Sequence, residues 1–130
     1  MVKRITIILI IIVFTCCSHT SPIVVNPENA RIGEKLFNSV GCLACHSVSG
    51  ETRYGPPLNF SLDREVAVIR SGSMITLKPD RQYIIRSLKQ PDFEKVDGFQ
   101  SKKMPSINLS DDDIEYLADY LLYINGSGKN

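Results

Sequence analysis

The sequence predicts a small all-α domain of three main helices joined by long loops, with room for one short β-ribbon. Three observations predict it. Apolar residues recur at spacings of three and four in three separate segments. The stretches between those segments carry most of the prolines and several of the glycines. The densest group of reactive side chains, Cys42, Cys45 and His46, follows a helical segment rather than a strand. With 130 residues and 43% hydrophobic content, the chain builds one domain with a modest core.

The first helix is expected over Asn29–Val40. Ala30, Gly33, Leu36, Phe37 and Val40 share one face, and Gly41 stops it. A glycine inside a helix costs about 1 kcal/mol against alanine, so Gly33 is expected to admit another helix at close range. Tyr54–Leu58 (YGPPL) is a turn, since its two prolines cannot continue a helix. Glu65–Leu77 alternates through Val66 and Val68 to Ser71-Gly72, then Met74, Thr76 and Leu77, which suggests the β-ribbon. The second helix is expected over Pro79–Lys89, with Pro79 at the first helical position, Ile84 and Leu88 on one face, and Pro91 ending it. Phe93–Asn108 is expected to be an irregular loop.

Ser110 opens the third helix. Ser110 with Asp113 resembles a capping box, with Asp in place of the usual Glu or Gln, and Leu109 can staple against Ile114. Asp111, Asp112 and Asp113 sit where the helix dipole favours negative charge. Ile114, Leu117, Ala118, Leu121 and Ile124 form the buried stripe, and Gly126 lies just past the end.

Residues 1–17 stand apart from this fold. Lys3 and Arg4 precede the apolar run Ile5–Phe14, which is too short for a spanning helix and suits an export signal. Cys16 and Cys17 follow at once, as in a lipoprotein cleavage site, although the residues before them lack the usual small side chains. Plain secretion and an uncleaved anchor are the alternatives, and all three place the domain outside the cytoplasm. Residues 18–28 are expected to be a tether, 29–126 the folded domain and 127–130 a tail. The formal charge is +1, and without Lys3 and Arg4 it is near −1. With no basic stripe interleaved with aromatics, nucleic acid is excluded as a partner.

Cys42 and Cys45 are then the only cysteines in the domain, so no four-ligand zinc site and no disulfide framework is available. A redox dithiol would sit after a strand in a βαβ unit, and none is visible. Cys-x-x-Cys-His is the attachment signature of c-type haem. Two thiols add to the two vinyl groups on one porphyrin edge, and the next residue projects its imidazole at the iron. Cys42 and Cys45 are thus the expected thioethers, and His46 the proximal ligand. His19 lies too close to the leader to serve as the sixth ligand. Met104 is favoured over Met74: it lies in a loop 58 residues after His46, before Pro105 and the last helix.

These residues make the chain resemble a class I cytochrome c, from about Arg31 to Ile124. The resemblance rests on Gly33, Phe37, Cys42-Leu43-Ala44-Cys45-His46, Gly55-Pro56-Pro57-Leu58, Met104-Pro105, Leu117 and Tyr120. The stretch from Asp80 to Leu121 is particularly similar to the cytochrome c domain fused to subunit II of some bacterial haem–copper oxidases, without that subunit's copper site. The resemblance implies the cytochrome c fold, three helices around one covalent haem. It implies that Gly33 crosses the last helix near Leu117 and Tyr120, and that the Pro56 carbonyl accepts from His46 Nδ1–H. Leu58, Ile84 and Leu88 are implied to pack on the porphyrin, with Ser87 near the Met104 sulfur. Arg53 and Tyr54 are candidates for the haem propionates, with a solvated loop the equal alternative.

A His/Met-ligated iron has no open position, so the expected function is one-electron transfer, not catalysis. The expected partners are a respiratory donor and a terminal oxidase, met by a monomer tethered to the membrane. The alternatives are a fixed haem subunit of a larger oxidoreductase, or a ligand-binding or peroxidase-type haem protein in which Met104 does not bind. Lys89, Lys95, Lys102 and Lys103 flank the methionine and can steer an acidic partner, although Asp92, Glu94 and Asp97 dilute that charge.

Overall fold

The computed structural model describes residues 23–127. The expected export signal, Cys16, Cys17 and His19 lie outside the described residues, as does the end of the tail from residue 128.

Helix α1 runs from Pro27 to Ser39. It starts two residues before the expected Asn29 because Asn26 caps it, its side chain accepting from the Glu28 and Asn29 N–H groups. Pro27 loses nothing at the first turn, where its absent N–H would have no helical partner. The last part of the expected 18–28 tether is therefore helical, and the segment before it is docked. The Asn26 N–H donates to Asp119, and the Val24 carbonyl accepts from Arg81. A short 3₁₀ turn, Cys42–Ala44, follows Gly41, whose φ of 84° favours glycine.

The β-ribbon is present as β1 (Val66–Arg70) and β2 (Ser73–Leu77), antiparallel, with Val68 opposite Ile75. Ser71 (φ 51°) and Gly72 (φ 79°) make the two-residue turn. Helix α2 covers Arg81–Lys89. Pro79 was expected to be its first residue. Instead Asp80 is the cap, accepting from Tyr83 N–H at 2.7 Å, and Pro79 is buried just before it. The expected irregular loop begins with a third strand, β3 (Glu94–Val96), antiparallel to β1, so the sheet order is β2-β1-β3. Three residues leave no period to read, and only β1 beside them makes them a strand.

Helix α3 spans Asp111–Leu122 and begins with the expected capping box: Ser110 and Asp113 each accept from the other's backbone N–H. One wide helical turn, Tyr123–Ser127, closes it around Gly126 (φ 112°). Helix α1 crosses α3 at Gly33. A Cβ there would lie 1.9 Å from the Tyr116 carbonyl oxygen and 2.9 Å from Tyr120 Cβ. The crossing is thus over Tyr116 and Tyr120, one residue from the Leu117 that the resemblance implied. Phe37 and Tyr120 pack with ring centroids 5.3 Å apart. They join Leu117, Ala118, Leu121, Leu122 and Ile84 in the core.

Asp119, also buried, ties three segments together. Its carboxylate accepts from Asn29 Nδ2 (3.0 Å), from the Asn26 N–H and from Arg81 of α2. A buried charge of this kind is tolerable only because it is paired and hydrogen-bonded.

Candidate functional site

A cavity of about 470 Å³ opens between the α1–α3 pair, α2 and the loops on either side. That volume lies within the usual range of roughly 300–1,000 Å³ for cofactor and ligand sites. Its first wall is the Cys-x-x-Cys-His turn. The backbone folds tightly here: Ala44 N–H bonds the Gly41 carbonyl at 3.0 Å, and His46 N–H bonds the Cys42 carbonyl at 3.0 Å. Cys42, Cys45 and His46 all border the cavity from this one turn.

His46 Nδ1–H donates to the Pro56 carbonyl at 2.7 Å. Pro56 lines the cavity, and its carbonyl holds the proton on Nδ1, which leaves the lone pair on Nε2. The imidazole lies against Gly55, where a Cβ would stand 2.5 Å from Cε1 and 2.9 Å from Nδ1. Gly55 N–H in turn bonds the Cys45 carbonyl at 2.8 Å, so the loop is stitched back to the motif. Arg53 completes the stitching. Its Nη1 donates to the carbonyls of Leu43 (2.9 Å) and His46 (3.3 Å), and Nη2 bonds Glu51. Arg53 therefore braces the motif and does not itself border the cavity. Tyr54 does line it, and its hydroxyl accepts from Lys103 N–H at 3.5 Å.

The apolar walls hold Leu58 from the proline turn, and Ile84 and Leu88 from α2. Ser87 is also there, but its hydroxyl donates to the Tyr83 carbonyl one turn back, at 2.9 Å. From the loop before α3 comes Met104, half-buried and bordering the same cavity. Met74 is 61% exposed on strand β2 and does not border it. The structure thus brings all eight expected residues (Cys42, Cys45, His46, Pro56, Leu58, Ile84, Leu88 and Met104) to one cavity.

Four charged residues besides His46 line the cavity, Glu94, Lys95, Lys102 and Lys103, and none is among the expected haem contacts. Glu94 of β3 is buried, with Arg70 of β1 on one carboxylate oxygen and Arg86 of α2 on the other. Its charge and burial together push the Tyr83 hydroxyl pKa upward, burial being the larger cause. Lys95 is held by Asp92 and two carbonyls. Lys89 pairs with Asp111, and Lys102 lies 5.0 Å over the Tyr54 ring. The cluster expected to steer partners is in large part committed to internal contacts. Little in the sequence marks this: apart from Asp92, three residues before Lys95, each partner is distant in the chain or is a backbone carbonyl.

The donor set fits a haem and not its competitors. Burial pushes the Cys42 thiol pKa up, the opposite of an activated dithiol. Among the described residues no group of three or more His, Cys, Asp or Glu can hold a metal by itself. An imidazole with a fixed tautomer, two thiols on one turn and apolar walls suit a flat, largely apolar macrocycle bonded along one edge. No helix among the described residues is long and apolar enough to cross a membrane.

No curated protein matches the chain. The family model described as "Cytochrome c" matches residues 30–125, which covers all three helices, the haem-attachment motif and the Met104 loop. Members of this family carry a covalently bound haem c and act as electron carriers toward redox partners. The match spans most of the chain and encloses the cavity described above, so this protein belongs to the cytochrome c family.

Proposed function

We propose that the chain carries single electrons through one haem c, which Cys42 and Cys45 would bond and whose iron His46 and Met104 would ligate. The observation that supports this most is that one cavity is bordered both by an imidazole of fixed tautomer and by a methionine from a distant loop. His46 has its Nδ1 proton committed to Pro56 at 2.7 Å, and Met104 borders the same space from another loop. Haem, when bound, supplies an iron that exchanges one electron, and a thioether ligand favours its ferrous state.

Every other contribution is the protein's. Pro56 keeps the imidazole proton on Nδ1, so Nε2 is the coordinating atom and the ring cannot tumble. Met104 carries no proton, so its ligation is indifferent to pH near neutrality. Leu58, Ile84 and Leu88 exclude water from the cavity walls, and a dry surround penalises the extra charge of the ferric state. With His46 and Met104 both given to the iron, oxygen and peroxide would find no vacant site, which favours electron transfer over catalysis.

The domain works outside the cytoplasm, held near the membrane by its N-terminal segment. As a monomer it shuttles electrons from a respiratory donor to a terminal oxidase. The test is the redox spectrum of exported holoprotein, with pyridine haemochrome analysis, then Met104→Ala. The reading requires one haem c per chain and loss of the low-spin spectrum in the variant. An unchanged low-spin spectrum moves the ligand elsewhere. Colourless protein matured in a competent host overturns the whole reading.

A further inference from the structure

Lys95 is a lysine in an unusual setting. Its side chain is only 17% exposed, and it lines the cavity. Strand β3 fixes its backbone opposite Ile69. Its ammonium has three donors, and each meets one acceptor: the Lys102 carbonyl at 2.6 Å, the Gln100 carbonyl at 3.3 Å and Asp92 at 2.8 Å. Two of these acceptors are backbone groups in the segment leading to Met104. Lys102 is two residues before the methionine.

The chain between Lys95 and Met104 turns back on itself. Phe99 N–H bonds the Val96 carbonyl, Lys102 N–H bonds the Phe99 carbonyl, and Gly98 adopts φ 88°. These local turns fold the loop but do not by themselves hold it against the cavity. Lys95 does so, from a residue anchored in the sheet. A further tie comes from Lys102, stacked on Tyr54 across the cavity mouth.

From this geometry we infer that Lys95 is a positioning residue for Met104, clamping the methionine loop and setting how often the sixth ligand leaves the iron. The inference rests on the proposed Met104 ligation. It also assigns Lys95 a role different from partner steering, since its charge is spent on internal carbonyls. Charge-assisted hydrogen bonds are the stronger kind, and leaving the two carbonyls without their cation loosens the loop.

The experiment measures carbon monoxide association with the reduced holoprotein at neutral pH, which requires Met104 to move away first. Wild type is expected to react slowly and Met104→Ala fast. Lys95→Met keeps the aliphatic stem and removes the donors; its rate is expected to rise about tenfold over wild type, the size of one lost charge-assisted bond. Lys95→Arg, which keeps charge and donors, restores most of the wild-type rate. Lys89→Met removes a different surface cation, one paired with Asp111 rather than with the methionine loop, and leaves the rate unchanged. Amide hydrogen exchange at Lys102 and Lys103 is expected to quicken in Lys95→Met, a readout independent of gas binding. Lys95→Gln, with an intermediate acceleration, replaces Lys95→Met if that variant fails to mature.

A Lys95→Met rate equal to wild type, with Met104→Ala fast, overturns the clamp alone. So does an equal acceleration by Lys89→Met, which points to a general effect of surface charge. A wild-type rate as fast as that of Met104→Ala overturns the axial assignment, and the clamp with it.

Discussion

Gly33→Ala sets two physical effects against each other with opposite signs. Helix propensity alone favours the change, since alanine inside a helix is better than glycine by about 1 kcal/mol. The helix crossing forbids it. The added Cβ would sit 1.9 Å from the Tyr116 carbonyl oxygen and 2.6 Å from its carbon. Ordinary contact begins near 3.4 Å, so α1 and α3 must part by about 1.5 Å at this point. The obstacle is backbone, and no rotamer change relieves it. A radial gap of roughly 0.5–1 Å already forfeits a quarter to a half of a dispersion contact, and the crossing carries Phe37, Tyr120 and Leu117, all buried. Overpacking costs about 1–3 kcal/mol in ordinary cores and more where backbone must move. The expected result is a net loss of about 3 kcal/mol or more. Urea unfolding of the oxidised holoprotein, followed by far-ultraviolet circular dichroism and by haem absorbance, measures it. Equal or greater stability of the variant would refute the crossing and leave Gly33 without a reason.

Glu94→Gln leaves Arg70 and Arg86 facing a neutral amide. A stability loss of about 3 kcal/mol is expected from breaking a buried pair, and equal urea midpoints would contradict it. Gly55→Ala drives a methyl into the His46 ring, 2.5 Å from Cε1. It is expected to alter the spectrum of the ferric protein while leaving haem attachment, seen by mass spectrometry, intact. Ser110→Ala removes the cap of α3 and is expected to cost about 1 kcal/mol in the same urea assay. The Ser110 hydrogen bonds also hold the Asp113 carboxyl below its ordinary value of 3.8, and Lys89 and Lys95 do the same for Asp111 and Asp92. A carboxylate with a depressed folded-state pKa contributes stability above the unfolded value and loses it as pH falls through the folded one. Acid titration is therefore expected to weaken the fold from about pH 4 downward, and less steeply in Ser110→Ala; identical slopes would argue against the capping box.

The sequence by itself determined what depends on neighbours within a few positions. The third helix was legible because its cap, acidic first turn and apolar stripe all lie between Ser110 and Ile124. The haem motif was legible for the same reason, since two thiols and an imidazole must be five residues apart at most to serve one porphyrin edge. The β-ribbon over Glu65–Leu77 was visible through its Ser71-Gly72 turn. Only the tertiary structure decided what depends on partners far along the chain. Strand β3 exists because β1 lies beside it, 24 residues back at Arg70 and Glu94. Asp119 is buried because Asn29, 90 residues away, and Arg81, 38 away, converge on it. Lys95 is a surface cation when read in one dimension and a clamp in three, because two of its three acceptors are carbonyls that every residue possesses. Backbone groups carry no sequence signature, so the contacts that shape this cavity from the methionine side were invisible until the chain was folded around it.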